Sequence, residues 1–137
     1  AAAKMGVPQV VSVGALDMVN FGPFDTVPKE FEGRNLYKHN PTVTLMRTTA
    51  EELEQIGTVI AEKLNMAKDK TALILPLKGV SMIDVEGQAF YDAEADKALF
   101  DTLKAKVNDS VEVIEMDNAV NDDEFAIAAA KKLISML

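Results

Sequence analysis

Four short segments of β-branched and aliphatic residues, at positions 9–13, 42–46, 71–77 and 110–116, are separated by stretches whose apolar residues recur at helical spacing. This alternation restricts the fold strongly, because strands alternating with amphipathic helices pair in parallel through helical crossovers. The runs Val10-Val11-Ser12-Val13 and Ala72-Leu73-Ile74-Leu75 show little polar alternation, as expected of strands covered on both faces, whereas 110–116 alternates more and belongs nearer an edge. One helix opens on the capping box Thr49-Ala50-Glu51-Glu52 and carries Leu53, Ile56, Ile60 and Leu64 along one side as far as Asn65. A second starts near Asp92 and turns Ala95, Leu99 and Leu103 inward. The third starts at Asn121-Asp122-Asp123-Glu124, another capping-box pattern, and continues through Phe125, Ala129, Leu133 and Met136, with Lys131 and Lys132 towards its end. The fold expected is α/β: a single Rossmann-like three-layer domain over residues 1–137, with a mostly parallel sheet of about four or more strands.

Two long segments, 14–41 and 78–92, interrupt the alternation and hold six of the eight aromatic residues: Phe21, Phe24, Phe31, Tyr37, Phe90 and Tyr91. Loops beyond about 12–15 residues are uncommon in compact domains and are often binding loops or lids. Gly22-Pro23, Val27-Pro28 and Asn40-Pro41 argue against a long helix in the first segment and leave room for a single turn around Pro28-Lys29-Glu30-Phe31. The rings also suit a satellite core that would hold this excursion onto the sheet.

A net charge of −8 and a pI near 4.6 set a repulsive field against nucleic acid and anionic lipid, although a local anion pocket is compatible with it. The apolar runs fall far short of the ~20 residues that span a bilayer, so no membrane partner is expected. Cysteine is absent, which excludes disulfides, thiol nucleophiles and cysteine-ligated zinc from these residues. No secretory-signal pattern opens the chain, so the cytoplasm is the expected compartment. Ala1-Ala2-Ala3-Lys4-Met5-Gly6 reads as the end of a helix with its left-handed cap, and the chain is expected to be a fragment of a longer polypeptide.

In an open parallel sheet the loops leaving the carboxyl ends of the strands share one rim, where ligands bind. Gly14, Asp17 and Asn20 follow the first strand, Arg47, Thr48 and Thr49 the second, Lys78, Gly79 and Ser81 the third, and Asp117, Asn118 and Asn121 the fourth. The segment Pro76-Leu77-Lys78-Gly79-Val80-Ser81 offers a cation, a flexible backbone and a hydroxyl to a phosphate or carboxylate, yet also suits a plain turn. It has neither the P-loop spacing nor the Gly-x-Gly-x-x-Gly fingerprint. Arg47 could face an anion beside the helix start, while Thr48 and Thr49 are explained by capping alone. His39, the one histidine, and Asp17 are the candidate acid or base, with no Gly-x-Ser-x-Gly elbow to support hydrolysis and a surface role open to the histidine. The acids at 117–124 lack EF-hand spacing, and no metal site is expected.

The stretch from Val10 through Gly14-Ala15-Leu16-Asp17-Met18-Val19-Asn20-Phe21-Gly22, followed by His39-Asn40-Pro41-Thr42-Val43-Thr44-Leu45-Met46-Arg47-Thr48-Thr49, is distinctive. It resembles the carboxyl-terminal domain of an uncharacterised family described as ATP-binding and related to the tomato mosaic virus resistance protein. Pro76-Leu77-Lys78-Gly79-Val80-Ser81, Gly87-Gln88-Ala89-Phe90 and Asp92-Ala93-Glu94-Ala95-Asp96 extend the resemblance over nearly the whole chain. The resemblance implies a longer protein of two α/β subdomains in which the amino-terminal subdomain is this chain's partner and ATP binds the larger unit. In the plant relative it implies a region that inhibits viral RNA replication by binding the replication protein, an action that family membership does not transfer. Three readings follow. The first is an ATP- or phosphometabolite site in which Arg47, Lys78, Gly79 and Ser81 hold the anion and Asp17 and Asn20 orient polar groups; the second is an enzyme at the same rim; the third is an interaction module, including a homo-oligomer.

Overall fold

The strands divide between two sheets. In the computed structural model, which describes residues 1–137, a short helix α1 (Ala2–Met5) ends at Gly6 with φ 70°, the left-handed cap that its sequence announces. The chain then forms β1 (Gln9–Val11), β2 (Met18–Phe21), β3 (Leu36–Asn40), β4 (Val43–Arg47), α2 (Ala50–Leu64), β5 (Thr71–Pro76), α3 (Ala93–Lys106), β6 (Val111–Met116) and α4 (Asp123–Met136). Strands β1, β5 and β6 make a parallel sheet in the order β1-β5-β6, with Gln9 opposite Thr71 and Thr71 opposite Val111. All six residues of β5 are buried, as a central strand covered on both faces requires.

Alternation along β5 sends Leu73 and Leu75 into a core with Leu53, Ala61 and Leu64 of α2 and Ala95, Leu99, Phe100 and Leu103 of α3. Ala72 and Ile74 point to the other face, where α4 packs on β1 and β5. The capping box of α2 forms as its sequence announces, Thr49 accepting from the Glu52 amide while the Glu52 carboxylate accepts from the Thr49 amide. At α4 it does not form: Asp122 turns its carboxylate back to the Ala119 amide, 2.9 Å away.

The single mostly parallel sheet of four or more strands is corrected here. β4 leaves the parallel sheet and becomes the middle strand of an antiparallel one, order β2-β4-β3, with Met18 opposite Arg47 and Leu36 opposite Met46. The apolar run in β4 reflects burial between two neighbours and two faces, not a parallel setting. Asn40-Pro41 is the corner of the β3–β4 hairpin, where the Asn40 side chain accepts from both the amide and the hydroxyl of Thr42. The expected turn forms as a 3-10 helix at Lys29–Phe31, and its Phe31 packs on Phe21 with ring centroids 5.3 Å apart. Tyr37 meets Phe90 edge-on at 6.1 Å, which joins the two ring-bearing excursions.

The loops past the parallel strands are laced together by backbone. The Ala15 amide donates to Val80 O at 2.7 Å, Lys78 to Asn118 O at 3.1 Å and Val120 to Gly79 O at 2.9 Å. Two residues carry the cost of that closeness. Gly79 sits at φ 141°, where an added Cβ would lie 2.1 Å from Asp84 O, and Ala15 adopts φ 61° despite its side chain. Gly79→Ala is expected to lose roughly 2–4 kcal/mol in urea unfolding. Ala15→Gly, which removes a left-handed penalty of about 1–2 kcal/mol and adds chain entropy of about half that, should be neutral to mildly stabilising in the same assay.

Candidate functional site

Arg47 closes β4 at the point where the antiparallel sheet meets the rim of the parallel one, and its side chain turns inward. Its Nη2 donates to Asp84 Oδ1 at 2.9 Å and to Asp96 Oδ1 at 2.7 Å, and its Nε donates to Phe90 O at 2.8 Å. Next to this node, Asp17 accepts from the Ser81 hydroxyl at 2.7 Å, and the Thr48 amide donates to Asp17 O. Asp17 and Asp84 are wholly inaccessible, and Arg47 is 5% exposed. Asp17 Oδ1 is buried without a partner.

Three buried carboxylates around one guanidinium cannot all ionise cheaply. Burial pushes the Asp84 carboxyl up to about 7, and its contact with Asp96 pushes the same way against the pull of the Val80 amide and Arg47. Asp96 is also raised by burial, with Asp84 and Arg47 opposing. Burial raises Asp17 too, the Ser81 hydrogen bond pulling it back. The node therefore holds a proton where an exposed carboxylate would not.

The residues singled out from the sequence divide. Asp17, Arg47 and Ser81 come together, and Gly79 adjoins them through its close approach to Asp84. Arg47 spends its donors on internal acids, and the Leu77, Lys78, Gly79 and Val80 amides all have acceptors within the chain. The cradle expected over 76–81 is thus closed by the protein's own oxygens. Gly14 packs near Val120, and Asn20 is exposed on β2. His39 is exposed on β3, at the opposite end of the antiparallel ladder from Asp17, so the two do not form an acid–base pair.

Lys78 instead reaches a cavity of about 680 Å³ beyond the carboxyl ends of β5 and β6. Leu77, Tyr91 and Phe100 give it an apolar side, Lys78, Lys97 and Lys104 give it cations set among the carboxylates of Glu86, Asp101 and Asp122, and Asp96 joins it to the buried node. The lysines lean on Asp117 at 3.4 Å, on Asp101, and on Glu115 at 2.8 Å respectively. Exposed pairs of this kind are worth about 0–1 kcal/mol and exchange readily for another anion. Sequence reasoning missed Asp84, Asp96 and the α3 lysines. One signal was available: Asp96 lies beside Ala95 and one turn before Leu99 and Phe100, a carboxylate on an apolar helix face.

The profile of the Uncharacterised protein family (UPF0261) C-terminal domain matches residues 1–137. The chain belongs to the UPF0261 family. It is 68% identical over 138 residues to a UPF0261 protein of Clostridium tetani, covering 100% of this chain and 34% of that relative. A UPF0261 protein of Rhizobium meliloti is 49% identical over 131 residues, 94% of this chain and 33% of its own length. The ToMV resistance protein Tm-1(GCR237) of Solanum lycopersicum is 44% identical over 132 residues, 95% of this chain and 18% of that protein. The ToMV susceptible protein tm-1(GCR26) is equally similar at 44%, so this level of likeness does not separate resistance from susceptibility. The UPF0261 chain thus spans about a third of the length of the bacterial relatives it matches.

Removing Arg47 from this UPF0261 domain leaves its acids buried and unpaired, so Arg47→Met should cost about 3–5 kcal/mol in urea unfolding. Asp84 keeps its proton up to about pH 7 when folded and releases it near 3.8 when unfolded, so the folded chain binds more protons between those values. Its contribution to stability is complete below pH 3.8 and is lost as pH rises through about 7. The free energy of unfolding should therefore fall over that window, by at most about 1.4 kcal/mol per pH unit for one proton. Asp84→Asn should flatten this slope.

Proposed function

We propose that this UPF0261 domain supplies one wall of a binding site for a phosphorylated, nucleotide-like metabolite, with the rest of a longer polypeptide supplying the other. The observation that carries the reading is the cavity of about 680 Å³ at the carboxyl ends of β5 and β6, within the range of small-molecule sites. Lys78, Lys97 and Lys104 take the phosphates, and Tyr91 and Phe100 take a ring. Arg47, Asp17, Ser81 and Gly79 act one layer behind: they fix the 78–92 loop that carries Tyr91 and the Asp96 end of α3. The arrangement of β1, β5 and β6 with α2 and α3 on one face and α4 on the other supports a Rossmann-like description of the parallel half, whose ligands sit at this rim. A nucleotide ligand is in keeping with the cytoplasmic location expected from the sequence. No helix is long and apolar enough to cross a membrane.

ATP titrated calorimetrically into the full-length protein tests the reading, with residues 1–137 as a second sample. Saturable binding by the full-length protein is expected, at least tenfold weaker with Lys78→Ala plus Lys97→Ala and weaker again in the isolated domain. Unchanged affinity in the double variant, or no binding of ATP, ADP or a sugar phosphate by the full-length protein, would overturn it.

A further inference from the structure

Helix α4 is apolar on two sides. Phe125, Ala129 and Met136 turn towards the sheet, Phe125 and Met136 being buried. A second line, Ile127, Ala130 and Ile134, flanked by Ala126 and Leu133, turns to solvent, with Ile127 53% and Ile134 70% exposed. These positions follow helical spacing, so they form a stripe along the axis. Glu124, Lys131 and Ser135 make a polar arc between the two sides, Lys132 pairs with Glu112 of β6 on the sheet side, and Asp123 opens the helix at the end of the outer line. Such a helix belongs between two cores rather than at the surface of one.

The neighbouring strand has the same character. α4 packs on β1, and β1 lies at the edge of the parallel sheet. The Gln9 amide donates towards β5, to Lys70 O, so by backbone alternation within β1 the Val10 amide points to the open side. Val10 and Val11 stay half-exposed, although Val10-Val11-Ser12-Val13 is the sequence of a strand covered on both faces. Met5 and Val7, just before β1, are 77% and 50% exposed. A bare parallel edge beside an apolar helix face invites aggregation, and native folds cover such edges.

From these observations we infer that the outer stripe of α4 and the open edge of β1 form one docking surface, covered in the intact protein by the part of the polypeptide outside residues 1–137, which adds a strand to β1 and packs an apolar surface on Ile127, Ala130 and Ile134. The relatives favour this occupant over a second copy, because residues equivalent to this chain make up only 34% and 33% of two of them, which leaves ample chain to cover the face. This surface is separate from the cavity bounded by Lys78, Tyr91 and Phe100, so it stands or falls independently of the ligand reading.

The test is thiol labelling of the full-length protein, read peptide by peptide by mass spectrometry. Residues 1–137 contain no cysteine, so Ile127→Cys, Ile134→Cys and the control Met82→Cys each introduce one reporter here, Met82 being 76% exposed. Labelling at least 100-fold slower at 127 and 134 than at 82, independent of protein concentration, is the expected result. Equal rates at all three positions would overturn the inference. Protection that vanishes on dilution would overturn it in favour of a second copy. Hydrogen exchange of the Val10 amide in the same protein checks the strand: at least 100-fold slowing relative to an unpaired edge is expected, and exchange at the unpaired rate would refute strand addition.

Discussion

A guanidinium sealed from water between two carboxylates organises this domain. Arg47 belongs to the antiparallel sheet, Asp84 to the loop after β5 and Asp96 to the first turn of α3, so a single side chain fastens three elements. Isolated from solvent, the charges must find one another with good geometry or the fold loses several kcal/mol. Arg47 meets that demand with three donors at 2.7–2.9 Å, including one to the Phe90 carbonyl. Burial raises Asp84 to about 7, so below that pH its proton leaves Arg47 and Asp96 as a balanced pair, with Asp17 beside them.

The functional geometry follows from this fastening. The 78–92 loop leaves β5 through Gly79, is pinned at Asp84 and Phe90, and delivers Tyr91 to the cavity wall immediately before α3 begins. Phe90 is buried while its neighbour Tyr91 is 47% exposed, so adjacent rings divide between holding the loop and meeting whatever enters the cavity. The buried charges thus support the cavity wall from behind, in the proposed site of exposed lysines and rings.

The parallel half was legible from residue pattern because its signals are local: an unbroken apolar run for β5, a capping box for α2, and Ala95, Leu99 and Leu103 at helical spacing for α3. The antiparallel half was not. Met-Val-Asn-Phe in β2 and Leu-Tyr-Lys-His-Asn in β3 carry mixed polarity, and their strand character comes from pairing with β4 across the chain. Asp17, Arg47 and Ser81 do come together, but Arg47 arrives from the antiparallel sheet and not from a parallel strand, and the direction of these side chains was not readable. An arginine after a strand looks the same in sequence whether it faces a ligand or two aspartates more than thirty residues away. What decides between these is the partner, and Asp84 and Asp96 announce themselves only weakly.

The sequence separations within the node bear on how the chain assembles. Asp17 and Ser81 are 64 residues apart, Arg47 and Asp84 37, and Arg47 and Asp96 49. Closing such spans costs chain entropy before any contact repays it, whereas α2, β5 and α3 are consecutive and can collapse first on their shared leucines. The charged node is therefore expected to close late, as a latch on a nearly finished molecule, so that its strength bears chiefly on how long the native state survives.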